Sequence, residues 1–149
     1  MPKLLDRLAQ PPRTISHGDY RLDNLFFATP EGGDPLAVVD WQIISLGCGP
    51  FDVAYFMAGA VSPADRRAME IDVLHSYHDT LIERGVQNYD FDRCFLDYRT
   101  AALFCWQYAV IIIGTLDTSN ERGLALFNSV LERFVAIIVD LDAAELLPT

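Results

Sequence analysis

Residues His17–Asn24 read HGDYRLDN. This stretch sets a histidine, two carboxylates and an amide directly ahead of a run of strand-forming residues. The run is LFFA, Leu25 to Ala28, and a second run, LAVVD, spans Leu36 to Asp40. TPEGGDP lies between them and is dense in turn residues, which predicts a β-hairpin centred near Gly32 and Gly33. The midpoint of positions 24 and 40 falls in that glycine turn. An antiparallel ladder folded there would set Asn24 opposite Asp40 at the open end, where directly paired residues have Cβ atoms about 4.5–5.5 Å apart. Both are oxygen donors and one is charged, a pair suited to Mg2+. Asp19 lies in the loop entering the same end. The eight residues and the distant Asp40 are therefore expected to form one site.

Beyond the hairpin the chain reads as helical. WQIISLGCGP (41–50) looks irregular, and FDVAYFMAGA then reads as a short helix entered at Pro50. A longer helix is punctuated by Ser62 as cap, Pro63 and Asp65 in the first turn and Gly85 at its end. Met69, Val73, Leu74, Tyr77 and Leu81 recur along it at helical spacing. Two more helices are expected, over 91–114 and 120–140, the second opened by a capping box of Thr118 and Glu121. The start, Met1 to Arg13, reads as a short helix-prone piece followed by a proline-rich connector. These elements predict an α+β fold, mainly α, as one domain of 149 residues: a hairpin at the front and a helical bundle behind it.

Composition narrows the function. The net charge of −10 argues against a nucleic-acid partner, because phosphate binding needs a basic surface. It suits a soluble acidic surface, and beyond that a cationic ligand or a metal. The three cysteines, Cys48, Cys94 and Cys105, have no CxxC spacing, so neither a disulfide framework nor a zinc site is expected, and a reducing, cytoplasmic setting is. No signal peptide is read at the start. The most apolar stretch, Ala102 to Leu116, is too short to span a bilayer and contains Gln107, so a buried helix is expected and no membrane contact.

A loop carboxylate, an amide five residues on and an acidic residue after the next hairpin are the parts that phosphoryl transfer needs. ISHGDYRLDNLFF followed by AVVDWQIISLGCGPFDVAYF resembles the catalytic core of the aminoglycoside phosphotransferase and choline kinase-like superfamily, which shares the protein kinase fold. The resembling elements are HxDxxxxN, an Asp closing a hairpin and a D-x-A helix start, and they span about His17 to Phe56. The resemblance implies that Asp19 is the catalytic base and that Asn24 and Asp40 bind the metal. It implies that His17 packs the loop against the metal-binding segment and that Asp52 holds the loop from below by accepting backbone N–H groups. Arg21 lies where a phosphate or substrate contact is within reach, while Tyr20, Asp23 and Trp41 read as exposed or packing residues. Cys48, near this site, is given no role. His75 and His78, three apart on a helix, read as surface or core residues.

The same resemblance implies ATP as phosphate donor, Mg2+ as cofactor and a small-molecule hydroxyl as acceptor. It also implies what is not here: no glycine-rich phosphate loop precedes His17, and the only lysine is Lys3. The expectation is a C-terminal lobe, with the N-terminal nucleotide lobe absent and supplied in cis or in trans. Such a lobe would be weakly active or inactive alone, and self-association through apolar residues such as Leu25 and Phe27 is expected. The alternatives are a truncated, non-catalytic binding or regulatory lobe and, third, metal-dependent hydrolysis by the same carboxylates.

Overall fold

The central feature among the described residues is a long helix contacted by four others, with four short strands. The computed structural model describes residues 2–147. In chain order it comprises α1 (Pro2–Leu8), β1 (Thr14–Ser16), β2 (Leu25–Thr29), β3 (Gly32–Val38), β4 (Ser45–Gly47), α2 (Pro50–Gly59), α3 (Pro63–Glu83), α4 (Phe91–Thr115) and α5 (Glu121–Asp140). Single 3-10 turns occupy Leu22–Asn24 and Ala143–Leu146. The fold is α+β and mainly α. The helix-prone start was expected from Met1, which lies outside the described residues.

Helix α4 forms the core because its inward positions recur at helical spacing and carry small or apolar groups. Tyr98, Ala101, Ala102, Cys105 and Ala109 are completely buried. α2 brings Ala54 and Ala58 to the same cluster and makes its most extensive contacts with α4. Small side chains on both helices allow the close approach that fills the interior without voids. α1 contributes Leu4 and Leu8, and α5 contributes Phe134 and Ile137.

The long helices begin where the chain supplies an acceptor for exposed N–H groups. Ser62 accepts from the Asp65 N–H, Asp90 from Arg93 and Asn120 from Gly123. The last of these corrects the expected capping box: Asn120, not Thr118, is the cap. Asp117 accepts from the Ser119 N–H at 2.9 Å and from Asn120 Nδ2 at 3.2 Å. That turn carries Thr118 away from the helix start.

Two features of α3 and α5 depart from hydropathy. Met69, Leu124 and Leu131 are exposed, while Arg66 and Glu70 are buried. Arg66 Nη1 lies 2.7 Å from Glu70 Oε2, and Tyr98 Oη donates to Glu70 Oε1 at 2.6 Å. Arg66 Nη2 also pairs with Asp140, which Arg67 Nε meets at 2.6 Å. This network ties α3, α4 and α5 together through charges that satisfy one another, the condition under which buried ions are tolerated.

The strands form two separate antiparallel pairs. β2 pairs with β3, and β1 pairs with β4 through Thr14–Gly47, Ile15–Leu46 and Ser16–Ser45. The stretch expected to be irregular, 41–50, thus contains a strand. In the hairpin the turn residues are Pro30 and Glu31, between Thr29 and Gly32, and Gly32 and Gly33 follow with φ of +121° and +114°. Leu25 faces Val38, Phe26 faces Ala37 and Phe27 faces Leu36, with a bulge before Thr29 faces Gly32. Pro35 sits in the bulged segment, where its missing N–H costs no ladder bond.

That register corrects the expected pairing of Asn24 with Asp40. The Val39 N–H donates to Asn24 O at 3.0 Å, so Val39 stands opposite Asn24. Asp40 lies one residue past it, two beyond the end of β3, with φ of +64°.

Candidate active site

The loop between β1 and the 3-10 turn is held from beneath by one carboxylate. Asp52, in the first turn of α2, accepts from the His17 N–H at 2.7 Å, the Gly18 N–H at 2.9 Å and Ser16 Oγ at 3.1 Å. Three donors on one ionised acceptor are worth more than three neutral bonds. Gly18 is required by shape as well: its φ is +85°, and a Cβ there would meet Ile43 O at 3.0 Å.

His17 is almost fully buried and bridges the loop to the hairpin end. Its Nε2 lies 2.8 Å from Val39 O, and its Nδ1 lies 3.2 Å from the Asp19 N–H. A carbonyl on one side and a donor on the other define the tautomer protonated on Nε2. The ring also packs on Trp41 at 4.7 Å, and Trp41 Nε1 donates to Val38 O at 2.9 Å.

Asp19 is then presented with its carboxylate partly exposed and held on both oxygens. Oδ1 accepts from Tyr55 Oη at 3.1 Å. Oδ2 accepts from Asn24 Nδ2 at 3.2 Å and lies 3.2 Å from Arg21 Nε. Asn24 is buried, and its Nδ2 also donates to Asp19 O at 2.9 Å. The amide nitrogen is thus spent on Asp19, and the carbonyl oxygen is the atom with capacity for a cation. Arg21 is half exposed and also reaches Asp23 at 3.5 Å, so it lies at the mouth of the site.

Tyr55 is the site residue that the sequence did not disclose. It stands three positions after Asp52, hence on the same face of α2, so one helix face holds the loop backbone and grips the Asp19 side chain. Burial first, and then the Asp19 carboxylate, push the phenol above its usual range, so it remains a donor. Its ring contacts Tyr108 at 5.3 Å and stacks near Phe51 at 6.3 Å, which forms an aromatic wall beside Asp19. Cys48 is buried, and burial pushes its thiol up to about 12, so it is no nucleophile at neutral pH.

The metal-binding capacity is limited and specific. Among the described residues no three His, Cys, Asp or Glu side chains gather to hold a metal ion. The Val39–Asn24 backbone bond sets Asp40 one residue from the position opposite Asn24, so the two oxygen-bearing residues lie at the same end of the hairpin. That set does not make a dedicated cage. It fits Mg2+, which takes one or two protein oxygens and completes its shell with phosphate oxygens and water.

The fold and the site define a class: a helical scaffold that presents a loop carboxylate beside an amide and a second acid at a hairpin end. The chain belongs to the DUF1679 family, described as "Uncharacterized oxidoreductase dhs-27", which it matches over residues 8–144. It is also 52% identical over 124 residues to a Mus musculus protein named acyl-CoA dehydrogenase family member 10, a match covering 73% of this chain. The chain spans 12% of the length of that relative. No helix among the described residues is long and apolar enough to cross a membrane.

Proposed function

We propose that this chain is the catalytic lobe of an ATP- and Mg2+-dependent small-molecule phosphotransferase of the aminoglycoside phosphotransferase-like, protein kinase-like type. The observation that carries the reading is Asp19 held by Tyr55, Asn24 and Arg21 on a loop clamped by Asp52, beside two oxygen donors. The acceptor hydroxyl gives its proton to the Asp19 carboxylate as its oxygen bonds to the γ-phosphorus. The bond from that phosphorus to the bridging oxygen breaks, and ADP leaves. Asn24 and Asp40 would hold Mg2+, which supplies charge neutralisation at the phosphate oxygens. Positioning and electrostatics supply the rate, and the fixed Asp19 geometry is what positioning requires.

The names of the relatives speak of oxidation. One arrangement for hydride transfer is a parallel sheet whose glycine-rich turn opens on a helix N-terminus and binds a dinucleotide. Among the described residues the strands form two antiparallel pairs, so this segment does not carry that arrangement. With only 12% of the relative's length matched, the chemistry in that relative's name can reside elsewhere in it.

A second reading, a non-catalytic binding lobe, draws on the sheet surface. The cross-strand partners Ile15 and Leu46, and Phe26 and Phe27 on the separate hairpin, are each about three-fifths exposed, apolar surface suited to a covering partner in cis or in trans. Calorimetric titration with ATP, with and without Mg2+, separates the two. Phosphotransferase function predicts Mg2+-dependent binding that Asp40→Asn removes. Binding indifferent to Mg2+ and to Asp40→Asn would overturn the assignment, and no binding by the chain together with its adjoining segments would leave the binding-lobe reading.

A further inference from the structure

The charge of the whole chain suggests a cationic substrate; the walls beside Asp19 do not. A cavity of about 540 Å3 lies between the 16–18 loop, the 43–48 segment, α1 and α4. Its floor is Leu8, Cys48 and Phe104, all buried, with Phe51 beside them. Its lip is Ile43 and Leu46, both about half exposed or more. Among the described residues no carboxylate, ammonium, guanidinium or imidazole lines it. Its two titratable groups stay neutral: burial raises both the Cys48 thiol and the Tyr108 phenol.

The cavity has a polar end. Gly18 lines it and Asp19 follows in the chain. Tyr108 also lines it and packs on Tyr55, whose hydroxyl meets Asp19 Oδ1. Arg21 and two hydrogen-bond donors already engage the Asp19 carboxylate.

We infer that the acceptor is an uncharged alcohol whose aliphatic or aryl body fills this cavity, with its hydroxyl at the Gly18–Asp19 end. The inference rests on the phosphotransferase reading for the hydroxyl's role. A polycationic amino sugar would surrender hydration to a wall whose few polar groups, among them Ser16, Ser45 and Tyr108, return no charge. An alkyl or aryl body loses nothing there, and the volume lies in the range of small-molecule sites.

The test is direct binding of 1-butanol through 1-octanol to the full chain by saturation-transfer NMR, with choline and glucosamine as cationic probes. Affinity should rise about fourfold per added methylene, and the cationic probes should give no transfer. Ala9→Trp, an exposed position on the cavity wall, should weaken octanol at least tenfold. Leu46→Asp at the lip should weaken it as well, so a folding defect in either variant does not decide the matter. Choline or glucosamine outcompeting octanol would overturn the inference, as would a flat alkanol series untouched by both variants. Mg2+-dependent ATP binding without alkanol binding retires this inference alone. Alkanol binding with no nucleotide binding, by the chain together with its adjoining segments, retires the phosphotransferase reading and leaves the cavity's occupant standing.

Discussion

Replacing Asp52 tests whether one carboxylate holds the loop that presents Asp19. In Asp52→Ala the His17 and Gly18 N–H groups lose acceptors at 2.7 and 2.9 Å, and Ser16 Oγ loses one at 3.1 Å. Ser16 can turn to another partner, but two partly buried backbone N–H groups cannot. Each unmet donor costs about 1–3 kcal/mol, so the loss should be about 2–5 kcal/mol. Asp52→Asn keeps one oxygen and sets an NH2 against the other donor, so about half that loss is expected. Urea denaturation should show the midpoint falling with an unchanged slope. Hydrogen exchange should show His17 and Gly18 amide protection falling at least tenfold, since about 1.4 kcal/mol is a factor of ten. A midpoint within about 0.5 kcal/mol of the parent, with both amides as protected as before, would refute the clamp.

Gly49→Ala should destabilise by about 1–3 kcal/mol, because its Cβ would enter the space of the Tyr77 hydroxyl; Tyr77→Phe should restore much of the loss in a double-mutant cycle, and strict additivity would show that the contact does not matter. Glu70→Ala should cost about 3 kcal/mol or more by equilibrium unfolding, since it strips the buried Arg66 of one partner and leaves Tyr98 Oη without its acceptor. A hydrogen bond from Arg67, opposed by burial and helped by Arg66, holds the Asp140 carboxyl below its usual range. A depressed folded value means that its stabilisation is present above the unfolded carboxylate value and is lost as pH falls through the folded one. The stability gap between the parent and Asp140→Asn, measured by urea midpoints, should therefore be full at pH 6 and close on acidification below about pH 4; a gap that widened there would reverse the sign.

The helices were legible where local chemistry punctuates them. Ser62, Pro63 and Gly85 bracket α3 because each meets a need of a helix end, down to the φ of +92° at Gly85. Where two local signals competed, the sequence did not decide. Thr118 and Asn120 both suit a cap, and the Asp117 turn selects Asn120. The β1–β4 ladder was invisible because each strand has three residues, too few for a period, and the partners lie about thirty positions apart. Hydropathy placed Met69 inside and gave no reason to bury Arg66, because burial of that arginine depends on Glu70, Tyr98 and Asp140, two of them on other helices.

The site followed the same division. His17, Asp19 and Asn24 lie within eight residues, so their association needed only a tight loop, and the structure brings them together. Asp40 depended on counting across the hairpin, and the count assumed a ladder without irregularity. The turn at Pro30 and Glu31 and the bulge containing Pro35 give β3 two extra residues against β2. That places Val39, not Asp40, opposite Asn24. The consequence is structural rather than numerical. A residue inside the ladder would have its side chain committed to one face of the hairpin by the pleat. Asp40 lies beyond the ladder, in a left-handed backbone conformation that aspartate tolerates better than most residues, so its direction is set by that turn and not by the strand. His17 fixes the carbonyl just before the turn, which ties the Asp40 backbone to the same loop that carries Asp19. The two acids that phosphoryl transfer would use thus share one buried histidine as their common reference, an arrangement that a motif can suggest but only the register reveals.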